Sequence, residues 1–184
     1  MFVTIGIPTR NRADFIFEAL SVITNEIKSC PIEELEQIEV VIVDGASEDN
    51  TKEVVDSFKS SINNLVYFRR DECVGVDKDL SKCVEIAKGK FCWLLSDDDH
   101  IIEGSLSNVI SMLREKDDIT GATLNYSDYD NKLKFPITTN PSSSGNILKG
   151  NYLFNDAENC FNTIGLQISF ISTQVVNTKY WKEI

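Results

Sequence analysis

A chain of 184 residues can hold one α/β domain with a substantial core, but not two large domains. Its 42% hydrophobic and 26% charged content is ordinary for a globular protein, and a formal net charge of -11 argues against duplex nucleic acid as a partner. The cysteines Cys30, Cys73, Cys83, Cys92 and Cys160 include no Cys-x-x-Cys pair, and with a single histidine they exclude most zinc sites and a disulfide framework.

Residues 2–7 predict a first strand, closed by Pro8 and the polar run Thr9-Arg10-Asn11-Arg12. Phe15, Ile16, Leu20, Ile23 and Ile27 then recur at helical spacing, and Pro31 ends that stretch. Residues 39–43, rich in β-branched side chains, predict a second strand that stops at Asp44-Gly45-Ala46-Ser47. Ser47 or Asp49 is expected to cap a short helix whose inner face is Val54, Val55 and Phe58. A third strand is expected over 65–70. After a loop at Gly75, a helix carries Leu80, Cys83, Val84 and Ala87 on one side, with Gly89 at its end.

Residues 91–95 read as a strand buried on both faces, and Asp97-Asp98-Asp99 arrives where it runs out. A helix over 103–115 and a strand over 119–125 follow. Beyond them the pattern loosens into a long polar loop at 136–150, then a strand over 164–171 and a helix beginning at 175. The apolar end of the chain suggests an unfinished helix. No apolar run approaches the ~18 residues of a membrane span, and a cytoplasmic location is expected.

Strands alternating with helices imply a mostly parallel sheet covered by helices on both faces. The strands then share a direction, so the polar groups after each of them gather at one edge, where open α/β sheets bind ligands. Three adjacent carboxylates repel one another and cannot all be buried ionised without a counter-charge. Hard oxygen ligands point to Mg²⁺ or Mn²⁺ as that charge. An isolated acidic triplet is more often a solvated turn; the buried strand before it and the other polar strand ends favour a site.

Four segments in order carry a resemblance: Ile7-Pro8-Thr9-Arg10-Asn11-Arg12, Val43-Asp44-Gly45-Ala46-Ser47, Gly75-Val76-Asp77-Lys78-Asp79-Leu80 and the run from Ala87 to Asp99. Together they resemble family 2 glycosyltransferases of the GT-A fold, in the branch that builds bacterial surface polysaccharides, abequosyltransferase-like enzymes included. The resemblance implies an inverting transfer of sugar from a nucleotide-sugar donor to the hydroxyl of a glycan or lipid-linked acceptor. It makes 1–125 the nucleotide-sugar half and 126–184 the start of an incomplete acceptor-side region, with peripheral contact at the inner membrane face.

By the same resemblance Pro8, Thr9 and Arg10 line the base pocket, Asp44 binds the base, Asp77 frames the nucleotide and Asp97 contacts the ribose. Asp98 becomes the ligand of Mn²⁺ or Mg²⁺ bridging the donor's phosphates. Relatives often carry an aromatic residue at the position of Arg10 and an acid at that of Ser96. The catalytic base lies late in the family, which leaves Asp99, Asp156 and Glu158 as candidates here and implies that this length of chain binds donor better than it transfers sugar. Arg69 and Arg70 are either pyrophosphate ligands or a solvated strand end, and His100 reads as a loop histidine. Two other readings stand against the enzyme: a non-catalytic nucleotide-binding domain, and a nucleotidyltransferase, which would carry a glycine-rich loop after its first strand.

Overall fold

The computed structural model describes residues 1–116, 118–126, 152–164 and 170–183. Six strands form one sheet: β1 (Val3–Thr9), β2 (Ile38–Asp44), β3 (Leu65–Arg69), β4 (Phe91–Leu94), β5 (Gly121–Thr123) and β6 (Gln174–Asn177), in the spatial order β3-β2-β1-β4-β6-β5. The first four pair in parallel, and β6 inserts antiparallel to both β4 and β5. The helices are α1 (Ala13–Ser29), α2 (Ile32–Leu35), α3 (Thr51–Ser57), α4 (Val76–Ile86), α5 (Ser105–Glu115), α6 (Ala157–Ile164) and α7 (Thr178–Lys182).

Two-residue alternation divides the core between the faces. Val3, Ile5, Ile7, Val40, Ile42, Phe91 and Trp93 meet Ile16, Leu20 and Ile23 of α1, Val55 of α3, and Leu106, Ile110 and Leu113 of α5. Val41, Val43, Cys92 and Leu94 point the other way, onto Cys83 and Val84 of α4. Gly6 lies beneath α4, where an added Cβ would stand 2.8 Å from the Cys83 Cβ, so the helix seats closely because the strand carries no side chain there.

Several expectations need correction. Pro8 does not close β1: the strand runs through it to Thr9, paired with β2. Pairing with β4 stops at Gly6 and Leu94, so the N–H that proline lacks faces a strand that has already ended. Gly89 does not terminate α4 either; the helix stops at Ile86 with Ala87 as its cap, and Gly89 is pressed against the Thr4 backbone. The strand expected over 164–171 falls mostly outside the described residues, which omit 165–169; its ends are not strand, since Ile164 ends α6 and Ile171 opens a 3-10 turn, and a strand stands at Gln174–Asn177, where a helix was expected to begin. Val175 and Val176 feed opposite faces of the sheet there, a use of adjacent β-branched residues that helical spacing does not offer. The loop expected over 136–150 lies outside the described residues.

Two helices near the site borrow their caps from elsewhere in the chain. The α5 amino terminus has no side-chain cap of its own; Glu26 of α1, buried, accepts from Gly104 N at 2.9 Å and Leu106 N at 3.1 Å. Glu26→Ala removes a carboxylate from a helix start and leaves two amides without partners. It is expected to cost about 1–2 kcal/mol, read as a lower urea midpoint with an unchanged slope. The start of α1 is capped by Asp49, whose Oδ2 accepts from Ala13 N at 3.1 Å while Oδ1 accepts from both Thr51 N and Oγ1.

Candidate functional site

The strand order reverses between β1 and β4, because β2 and β3 build outward on one side of β1 and β4 lies on the other. At that reversal Thr9 Oγ1 donates to Asp97 Oδ2 at 2.7 Å, and both residues are buried. Asp44 ends β2 in register with Thr9, and Gly45 N donates to Thr9 O. Thr9, Asp44 and Asp97 therefore share one edge of the sheet, as the polar strand ends predicted.

The loops after β1 and β2 are laced together. Asn11 N donates to Ser47 Oγ at 2.8 Å, and Asn11 Oδ1 accepts from Glu48 N at 2.7 Å. Asn11 and Ala46 hold φ of 53 and 65, a left-handed conformation that costs a non-glycine residue on the order of 1 kcal/mol. Asp44 fixes that turn. Fully buried, it accepts from Ser47 N at 2.7 Å through Oδ1 and from the Tyr67 hydroxyl through Oδ2, with Arg69 Nε 3.9 Å away. Burial and the bond to Asp44 push the Tyr67 phenol well above its ordinary pKa, so it stays a donor.

Arg69 donates to Ser47 O at 2.8 Å, and Arg70 pairs with the buried Asp79 at 2.6 Å. Arg69, exposed at the end of β3, and Arg70, less exposed, each tie one loop to another. Arg10, exposed, extends over Gly45 and donates to Cys73 Sγ at 2.8 Å. Asp77 is exposed in the first turn of α4, while Asp79, two residues on, is the acid that turns inward against Gly45. Pro8 is buried in the sheet and supports this surface from beneath.

The acidic triplet divides by environment. Burial raises the Asp97 carboxyl above the usual range, against the Thr9 bond and the Arg12 charge that oppose the shift. Burial also pushes Asp98 up, but hydrogen bonds from Ser96 and Arg12 outweigh it and hold this group below the usual range. Arg12 bridges the two, with Nε 3.2 Å from Asp97 and Nη2 2.8 Å from Asp98. Asp99 accepts from Ser172 Oγ, which also accepts from Ser96 N at 2.9 Å. Ser172 O in turn accepts from the buried Trp93 Nε1 at 2.9 Å.

Residues well before and well after the triplet thus hold it. Ser172 precedes the antiparallel β6, and no motif in the sequence marks it. Arg12, two residues after the expected base-pocket turn, was visible but had no assigned partner.

This donor set fits a hard cation. Asp98 is ionised and partly open, the Ser96 hydroxyl is beside it, and Asp97 Oδ1 faces a buried Arg12 Nε that completes no hydrogen bond. Among the described residues no group of three or more acidic, histidine or cysteine side chains forms a self-sufficient cage.

The remaining candidates stand apart. Asp156 accepts from Asn159 N at 2.7 Å and caps α6, and Glu158 is exposed on that helix. Neither reaches the triplet by hydrogen bond or ion pair. His100 Nε2 lies 3.9 Å from Glu18 Oε2 of α1.

The raised Asp97 pKa carries a sign. Ionised Asp97 costs stability above its folded-state pKa, and the cost fades as pH falls through that value. Asp97→Asn, which still accepts from Thr9, is expected to be more stable than the parent at neutral pH. The difference should shrink in acid, as urea unfolding at the two pH values would show.

An α/β sheet with this strand order and an acidic edge at its reversal point defines a GT-A nucleotide-sugar transferase fold. Residues 4–173 match Glycosyl transferase family 2, and the chain belongs to that family. It is similar to abequosyltransferase RfbV of Salmonella typhimurium (strain LT2), 32% identical over 120 residues, or 65% of this chain and 34% of the relative. Among solved structures it resembles S. aureus TarS in complex with UDP-GlcNAc (TM-score 0.74, 20% identity, 100% of this chain and 47% of that one). It also resembles the mannosyltransferase PcManGT from Pyrobaculum calidifontis in complex with GDP-Man and Mn²⁺ (TM-score 0.58, 24% identity, 71% of this chain and 37% of that one). The chain spans about a third of the curated relative and about half of the TarS structure.

Proposed function

We propose that this chain is the donor-binding part of an inverting glycosyltransferase that moves a sugar from a nucleotide-sugar to an acceptor hydroxyl in surface polysaccharide synthesis. The observation that carries the reading is the Thr9–Asp97 hydrogen bond across the strand reversal. It sets the acidic triplet beside the 9–12 and 44–48 loops, so base and diphosphate ends of one ligand are served at a single edge.

Pro8, Thr9 and Asp44 shape the nucleotide pocket from beneath, and Arg10 and Asp77 face it from solvent. The Arg10 side chain, whose Cβ and Cδ lie over Gly45, ends in a guanidinium that offers a plane on which a base can stack. Asp97 sits where the ribose is expected, held by Thr9. Asp98 would hold Mn²⁺ or Mg²⁺ with Ser96 beside it, and that ion would offset the charge developing on the departing diphosphate. Asp99, positioned by Ser172, is the candidate base nearest the site; Asp156 and Glu158 are better placed to start α6.

We assign 1–125 to donor binding and 126–184 to the acceptor side, although β6 and Ser172 from the second segment complete the first. The acceptor is a glycan or a lipid-linked saccharide, and the work is done at the cytoplasmic face of a membrane. No helix among the described residues is long and apolar enough to cross one.

The test is calorimetric titration with UDP, GDP, CDP and dTDP, each with and without Mn²⁺. One of them is expected to bind, and only with the ion. A folded protein that binds none of them would end this reading.

A further inference from the structure

Arg12 stands where a cation is needed. It is the last residue before α1, and its side chain takes no part in capping that helix, which Asp49 does instead. Its polar side-chain contacts are Asp97 and Asp98, and its guanidinium lies 4.2 Å from the centroid of the Phe15 ring. Phe15 is 47% exposed, and its ring supports the cation. The hold is incomplete: Nε is buried yet completes no hydrogen bond, and the side chain remains 37% exposed.

The charge balance shows what this arrangement does. Asp97 and Asp98 bring two negative charges when ionised, and Arg12 leaves a net of one. A divalent ion arriving at Asp98 while Arg12 stayed would crowd two cations on that one carboxylate. A guanidinium released from Asp98 needs another anion within reach, and its planar fork matches phosphate oxygens. The proposed donor delivers a diphosphate to this edge.

We propose that Arg12 is a displaceable counter-ion: it occupies Asp97 and Asp98 in the empty site, yields Asp98 to the divalent cation, and turns on Phe15 to grip the donor's diphosphate. This rests on the nucleotide-sugar reading above and adds to it a coupling between cation and nucleotide. Arg12 weakens binding of the ion alone and strengthens binding of the diphosphate, so each ligand improves the site for the other. A cation without a donor is then held poorly, and a donor without a cation meets an arginine still engaged with aspartates.

The experiment compares wild type with Arg12→Ala, Arg12→Gln and Arg12→Lys in two titrations. The first follows Mn²⁺ alone, by the resonance signal of the free ion. Arg12→Ala is expected to bind Mn²⁺ about fivefold tighter, the effect of losing one partly exposed competing charge. The second adds pyrophosphate, which carries no base, with Mn²⁺ present, by calorimetry. There Arg12→Ala is expected to bind about tenfold more weakly, having lost a charge-assisted fork. Arg12→Lys should lie between wild type and alanine in both.

Opposite signs in the two titrations are the signature, because a variant that had merely loosened the site would lose affinity in both. If alanine does not fold, the glutamine and lysine variants carry the same pair of readings. Weaker or unchanged Mn²⁺ binding in the variants overturns the displacement while leaving the nucleotide reading intact. Unchanged pyrophosphate affinity overturns the grip. A wild-type protein that binds no Mn²⁺ even with pyrophosphate present removes the cation from the proposed function, and this inference with it.

Discussion

Asp98→Asn is expected to abolish Mn²⁺-dependent nucleotide binding while leaving the fold intact. The substitution keeps the shape and takes away a full negative charge from the carboxylate that Ser96 and Arg12 hold in its ionised form. Its side chain is 45% exposed, and its partners Ser96 and Arg12 lie on the surface of the site, not in the core. An asparagine oxygen still accepts from Ser96, so the stability change should stay within about 0.5 kcal/mol, as for other surface positions. The exposed ion pair with Arg12 is lost as well, and a pair of that kind contributes little to folding.

Binding has no such tolerance, because a neutral amide oxygen is a poor ligand for a hard divalent ion that is reluctant to shed water. Calorimetry of a nucleoside diphosphate with and without Mn²⁺ measures this directly. Affinity that is unchanged in the variant would remove Asp98 from the site.

Gly89→Ala is the largest expected effect on stability, and it arises far from the chemistry. A Cβ at Gly89 would stand 2.6 Å from Thr4 N, 2.7 Å from Phe91 O and 2.8 Å from Thr4 Oγ1. Two of these are sheet backbone and cannot swing aside.

The same residues close a buried polar network. Thr4 Oγ1 donates to Glu39 Oε2 at 2.7 Å and accepts from Gly89 N at 2.9 Å, while Glu39 Oε2 also accepts from Lys88 N at 2.8 Å. Glu39 is 1% exposed, so moving Thr4 to relieve the clash leaves a buried carboxylate short of donors. Overpacking and a lost buried bond together are expected to cost about 3 kcal/mol. For a chain of this size that lowers Tm by roughly 6–12 °C. Thermal unfolding followed by circular dichroism tests it; a shift of only a degree or two would mean that β1 and β4 can separate more easily than their packing suggests.

Continuous apolar runs by themselves determined the parallel half of the sheet. Runs such as 40–43 and 91–95 are satisfied by burial on both faces, and helical spacing between them forces crossovers. From there the shared strand direction gathers the ends of β1, β2 and β4 on one edge, so Thr9, Asp44 and Asp97 are legible as neighbours in the sequence. The acidic triplet was legible too, because adjacent like charges after a buried strand demand a counter-charge.

Only the tertiary structure decided who holds these groups. Asp44 takes its donors from Tyr67 and Ser47, Asp97 and Asp98 share Arg12, and Asp99 answers to Ser172, at separations set by strand order and not by sequence distance. The antiparallel β6 could not be read because four residues carry too short a pattern to separate strand from helix, and its pairing partners lie far away in the chain. Gly89 looked like a helix stop because a glycine after an amphipathic stretch usually is one. Its actual reason, the approach of a neighbouring strand's backbone, exists only once the sheet has formed.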